Sequence, residues 1–186
     1  MTNGPLISAS QVVNAMRSTL QTNYQAVRTA LGMTSLPDIK TWNIIANERA
    51  FTTANLPGIA IVVNGTSKTP ERTGPGVLTF EYDVFVYVFD HGASFEDVAT
   101  KIMDWCALIR ATVLAYPSLG GLSSSTHVLS ETYDEIPSAN SARSLGGGGV
   151  QFAVTVEDAV DTAAIRNLVL PGVPVGSTNL TITSQE

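Results

Sequence analysis

Two histidines, His91 and His127, are the only imidazoles in the chain. His91 follows Asp90 between a strand-like and a helix-like run, where an acid could orient a general base; the alternative is a solvent-facing turn residue. His127 opens a second strand-like run and carries the same two readings. Glu81 and Asp83 project from one strand face, the arrangement closest to paired carboxylates, although exposed acids on a strand are commonplace. The serines cluster in loops without a base beside them, and no Gly-x-Ser-x-Gly elbow occurs. His-x-His, His-x3-His and Cys-x2-Cys spacings are absent, so no metal site is expected. Gly146 to Gly149 come before a strand rather than between a strand and a helix, which suits a flexible hairpin connection and not a phosphate cradle. Cys106 is the sole cysteine, so no internal disulfide forms. It lies among helix-spaced apolar residues and is expected to be an inert buried thiol. The expectation is a chain without catalytic residues, cofactor or metal.

Composition narrows the partners. The formal net charge is −6, and the ten Lys and Arg residues are scattered from Arg17 to Arg166 without a basic run, so a phosphate-gripping surface is not expected. Charged residues make up 14%, against roughly 25% in an average soluble domain, with Ser, Thr, Asn and Gly in their place. Surfaces of that kind often touch other protein. "MTNGPLISAS" has neither the basic stretch nor the apolar run of a signal peptide, and the longest uncharged segment, 111–130, is broken by Pro117, Gly120 and Gly121. Cytosol-like conditions and no membrane are therefore expected. The sequon-like Asn64-Gly65-Thr66 and Asn179-Leu180-Thr181 then read as a turn and a strand edge.

The elements that would position these residues follow from periodicity. Ser8-Ala9-Ser10-Gln11 has the form of a capping box, and Val13, Met16, Leu20, Tyr24, Val27 and Leu31 recur at three- and four-residue steps until Gly32, which predicts an amphipathic helix. Residues 33–57 suggest a short strand or helical turn around Trp42. Ile59 to Val63 reads as a short apolar strand, and Thr66 to Gly76 as an exposed, mobile loop. "VLTFEYDVFVYVFD", residues 77–90, alternates cleanly at first, but from Val84 both faces are apolar: Val84, Val86 and Val88 on one, Phe85, Tyr87 and Phe89 on the other. Ser94 caps a second helix with Glu96 and Asp97 in its first turn. One apolar stripe on it runs from Phe95 through Trp105 to Tyr116, and a second comprises Met103, Ala107, Ala111 and Leu114, so that helix needs two partners. A strand from Thr126 and an alternating strand through Val150, Phe152, Val154 and Val156 complete the unit. The expected fold is α+β: a mostly antiparallel sheet of about four strands with helices packed on one face. The domain is placed at residues 1–157. Residues 158–186, with apolar patches at Ile165, Leu168 to Leu170, Leu180 and Ile182 between prolines and glycines, form an extension or arm. It is expected either to lie along another surface, adding a strand to a neighbour, or to pack back on its own domain.

The run "GVLTFEYDVFVYVFDHGASFEDVATKIMDWCALIRATVLAYPSLGGL", followed by Tyr133-Asp134-Glu135 and the last alternating strand, resembles the tail terminator and tail completion (neck) proteins of long-tailed bacteriophages. The resemblance covers roughly residues 8–157 and rests on the order and spacing of elements, including Ser118-Leu119-Gly120-Gly121 after the second helix. It implies a ring-forming α+β subunit, usually a hexamer, that caps the last tail-tube ring and meets the head connector. The implied partners are the tail tube protein, the head-tail connector protein and further copies of the chain, with DNA passing through the lumen without specific binding. The implied location is the virion, after assembly in the host cytoplasm. A connector stopper or tail-tube subunit is a neighbouring alternative. A small-molecule binding module or modest hydrolase, using a cleft around His91 and the loop 64–76, is an alternative of another class.

The expected interface residues are Phe85, Tyr87 and Phe89, together with Lys68 and Arg72 in the loop and Leu180 and Ile182 in the arm. An adjacent subunit or the arm would cover the rings; the other possibility is the first helix or residues 33–57 of the same chain.

Overall fold

A computed structural model describes residues 7–44, 52–74, 77–136 and 144–159. Helix α1 spans Ala9–Ala30 and is capped as its sequence dictates: the Ser8 side chain accepts the Gln11 amide while the Gln11 side chain accepts the Ser8 amide. Its buried face is Val12, Val13, Met16, Thr19, Leu20 and Tyr24. Gly32, at φ 70°, turns the chain out of the helix in a conformation that costs glycine least.

Among the described residues six strands make one sheet: β1 (Thr41–Asn43), β2 (Gly58–Thr66), β3 (Glu71–Gly74), β4 (Val77–Gly92), β5 (Ser125–Ile136) and β6 (Ser144–Ala159). Their order is β1-β2-β4-β6-β5, with β3 pairing β4 beyond the end of β2 in the same lane. All pairs are antiparallel except β1 with β2, which is parallel. The sheet is therefore mixed and larger than the four strands expected. The two additional strands were hidden for a physical reason. β1 is three residues long, and β3 is an exposed Glu-Arg-Thr-Gly run that pairs through its backbone and buries no apolar face. The expectation of a mobile loop over 66–76 is corrected accordingly, residues 75 and 76 lying outside the described set.

β4 is the central strand, paired with β6 along its whole length. Val84, Val86, Val88 and Asp90 are buried on the helix side, and the alternating Phe85, Tyr87, Phe89 and His91 face the other way and are half-buried. On the helix side Val84 lies opposite Phe152 and Val86 opposite Val150, with Ile59 and Ile61 of β2 flanking them. Helix α2 (Phe95–Ala115), capped by Ser94, lies over β4, β5 and β6, while α1 lies against α2 and β2. Both helices are on one side of the sheet. The core is the layer between: Met16 and Leu20 from α1, Trp105, Cys106 and Ile109 from α2, and Val86, Phe152 and Val154 from below.

The glycine run 146–149 is not a flexible connection but part of β6, and this corrects the sequence reading. A Cβ on Gly148 would stand 2.5 Å from Ile102 Cγ2 and 3.0 Å from Cys106 Sγ, and one on Gly146 would stand 3.1 Å from Val98 Cγ2. Glycine is needed there because α2 sits down on the strand. On the opposite face a Cβ on Gly149 would stand 3.0 Å from Tyr87 Cδ1.

Of the two stripes read on α2, the first is buried from Val98 to Val113, but its ends, Phe95 and Tyr116, are exposed. The second stripe is largely open, with Met103 51% and Leu114 50% exposed. Leu108 and Thr112, which neither stripe contained, are buried as well, and α1 packs against α2.

Candidate assembly surface

Among the described residues no α-helix lies on the other side of the sheet, and this helix-free side has two halves. In one, Phe85, Tyr87 and Phe89 stack in sequence, with ring centroids 5.5 Å and 6.5 Å apart and planes inclined by 13° and 25°. The neighbouring strands place small residues across from them, Ala60 and Gly149 beside Tyr87 and Gly58 and Gly147 beside Phe89. Small neighbours of this kind leave room for the rings of Tyr87 and Phe89 to lie down over the strands. Helix α1 does not cover them, since its apolar face belongs to the core on the other side.

The second half is polar and tied together. Ser130 of β5 donates to Gln151 of β6 at 2.7 Å, and Gln151 donates to Asp83 of β4 at 2.8 Å, a row crossing three strands. Further along β4, Glu81 accepts from Lys68 Nζ at 2.7 Å and from Ser67 Oγ at 2.6 Å. The Lys68 hydrogen bond, reinforced by Ser67, holds the Glu81 carboxyl below its ordinary value, and Lys68 is raised in turn by Glu81. Glu81 and Asp83 therefore share a face, as expected, but each has its own partners and the two do not work as an acid/base pair. Arg72 lies on exposed β3, opposite Leu78. Leu180 and Ile182 fall outside the described residues.

The residues considered for chemistry are placed as follows. Asp90 is buried, accepts from Trp105 Nε1 at 3.0 Å and from the His91 amide at 2.7 Å, and lies 3.3 Å from His91 Nδ1. It joins the end of β4 to the middle of α2. His91 is opposite Leu145, whereas Thr66 is opposite Tyr82, so His91 and the 64–74 segment are separated by about 30 Å along β4. A cleft combining them does not form. His127 is exposed at the start of β5. Cys106 is fully buried, and burial pushes its thiol up to about 12, outside the range of a useful nucleophile. Among the described residues no group of three or more His, Cys, Asp or Glu is placed to hold a metal ion. No helix among them is long and apolar enough to cross a membrane.

Two side-chain networks were missed in the sequence. Glu131 of β5 pairs with Arg110 of α2 and accepts from the Tyr133 hydroxyl, a bond that pushes the Tyr133 phenol up to about 12. At the other end of the sheet, Asp158 of β6 accepts the Ile7 amide at 2.8 Å while the Tyr82 hydroxyl donates to the Ile7 carbonyl at 2.9 Å, pinning the start of α1. Contacts this far apart in sequence leave no local pattern.

Asp158 is 0% exposed, and its Oδ2 has no hydrogen-bond partner. Burial raises its acid above the ordinary value, only partly offset by the Ile7 amide. A carboxyl raised in the folded state stabilises fully below the unfolded value, about 3.9, and that contribution is lost as pH rises through the folded value. Asp158→Asn is therefore expected to gain stability relative to the native chain as pH is raised from 4 to 8. Urea midpoints of both proteins across that range check this; a difference independent of pH would show that Asp158 is hydrated.

No protein-family model matches the sequence, and no curated protein does. Among solved structures, a chain from the virion of a native gene transfer agent (GTA) particle aligns with a TM-score of 0.40 at 12% identity, over 78% of this chain and 94% of that one.

Proposed function

We propose that this chain is a structural virion protein, a tail terminator that caps the end of a phage tail tube and joins it to the head connector as a hexameric ring around the DNA path. The observation that supports this reading most is the helix-free side of the sheet, a flat aromatic ladder beside a hydrogen-bonded polar half. Such a surface suits contact with another protein. Full burial of a ring of this size contributes roughly 1.5–3 kcal/mol, and most of it is already gained within the chain, so the small remainder favours a modest interface completed on a template. The order of elements behind the tail-terminator resemblance agrees with this, and Glu81, Asp83 and Asp90 are hydrogen-bonded within the fold while Cys106 is buried. An acidic chain without a basic patch also suits a lumen through which DNA slides.

Phe85→Ser with Tyr87→Ser tests the reading. Both positions face away from the core, so the fold, checked by circular dichroism, should persist. The mass by light scattering should fall from that of a hexamer to that of a monomer, and co-sedimentation with purified tail tubes should fall at least tenfold. A doubly substituted protein that still forms rings and still sediments with tubes would end the proposal.

A further inference from the structure

The sheet has one long free edge. β5 pairs with β6 on one side, and on its other side no strand joins it among the described residues. At about 3.4 Å per residue its unpaired N–H and C=O groups run for roughly 40 Å. Edges of that length are usually blunted by charged side chains, lysine above all, by proline or by bulges. Residues 125–136 contain no lysine or proline; their only such devices are one register shift between Val128 and Ser130 and the acids Glu131, Asp134 and Glu135. Beside this edge, α2, Tyr133 of β5 and the Gly146–Gly147 floor of β6 leave a groove of about 190 Å³, lined on the helix by Phe95, Val98, Ile102 and Met103. Phe95 is 58% exposed, Met103 51% and Tyr133 49%. The register gives each side of the edge its chemistry: Glu131 and Tyr133 lie on the α2 side, opposite Val150 and Gly148, while Ser130 and Thr132 lie on the helix-free side, opposite Gln151 and Gly149.

We propose that the outer edge of β5 is a docking strand for the chain's own segment Asn179–Ser184, which pairs with it and lays Leu180 and Ile182 over the groove. The segment reads Asn-Leu-Thr-Ile-Thr-Ser, a period-2 pattern rich in β-branched residues. Paired beside β5, its apolar residues fall on the side of Tyr133, Met103 and Phe95, and its threonines on the side of Ser130 and Thr132. Shifting it by one residue would reverse both matches, so the pattern itself sets the face.

Reach is sufficient. β6 ends at Ala159, four residues beyond Thr155, and Thr155 is opposite Ser125 at the start of β5. An added strand would lie about 5 Å outside β5, and residues 160–178 can span up to roughly 60 Å. Pro171, Gly172, Pro174 and Gly176 within them suit a connection that changes direction. Backbone pairing would supply affinity and the groove would supply selection, as in strand addition generally.

The site does not depend on the tail-terminator reading, since edge pairing is measured on the chain whether or not rings form. Hydrogen exchange followed by mass spectrometry on the full chain tests it. In the unsubstituted protein β5 amides should exchange at least tenfold more slowly than in Leu180→Asp/Ile182→Asp. Amides of β6, hydrogen-bonded to β4 and β5, should be unchanged. Met103→Asp, at a half-exposed helix position, should produce the same loss in β5. Equal exchange of β5 in the unsubstituted and Leu180→Asp/Ile182→Asp proteins overturns the proposal.

Discussion

Replacing Phe152 with alanine is expected to lower the unfolding free energy by about 3–5 kcal/mol, the range for deleting a large buried side chain and leaving a cavity. Phe152 is fully buried at the middle of β6, directly between Val84 of β4 and Val128 of β5. It belongs to the same cluster as Trp105, Cys106 and Ile109 of α2. Its neighbours are backbone-paired strands, which cannot close in on the space as a loop would. For a chain of this size the melting temperature should fall on the order of 10 °C. Denaturant unfolding provides the measure: the midpoint should drop with an unchanged slope. A loss below about 1 kcal/mol would mean that α2 is free to settle onto the sheet.

Trp105→Phe should cost about 3 kcal/mol by a different route. The indole N–H is the donor to Asp90 Oδ2, and both residues are 1% exposed. Phenylalanine fills most of the volume but leaves one oxygen of a buried acid without a donor. Leaving a buried acceptor unsatisfied costs roughly 1–3 kcal/mol, to which the imperfect filling of the indole's space adds. Asp90→Asn, which keeps an acceptor for the indole, should cost less than half as much. Equal losses in the two variants would show that the bond itself matters little and that the indole acts through packing.

Both effects concern residues whose burial could be read from the sequence and whose partners could not. Phe152 and Trp105 sit at the centres of clean period-2 and helical patterns, and both helices and the strands β2, β4, β5 and β6 follow from such patterns. Patterns of this kind report which face is apolar. They are silent on elements held by backbone bonds alone, as β1 and β3 are, and on a glycine run whose role is to admit another element. The aromatic face was legible because Phe85, Tyr87 and Phe89 broke an alternation begun at Leu78. Its polar half was not, because Ser130, Gln151 and Asp83 come from three strands and meet only through the register.

The glycines of β6 have a mechanical consequence. Ile102 rests against Gly148 from one side and the ring of Tyr87 rests against Gly149 from the other, so a single peptide plane separates the two. Nothing compressible lies between them. Side chains on the two faces of the sheet are thus held apart by strand backbone alone at this point.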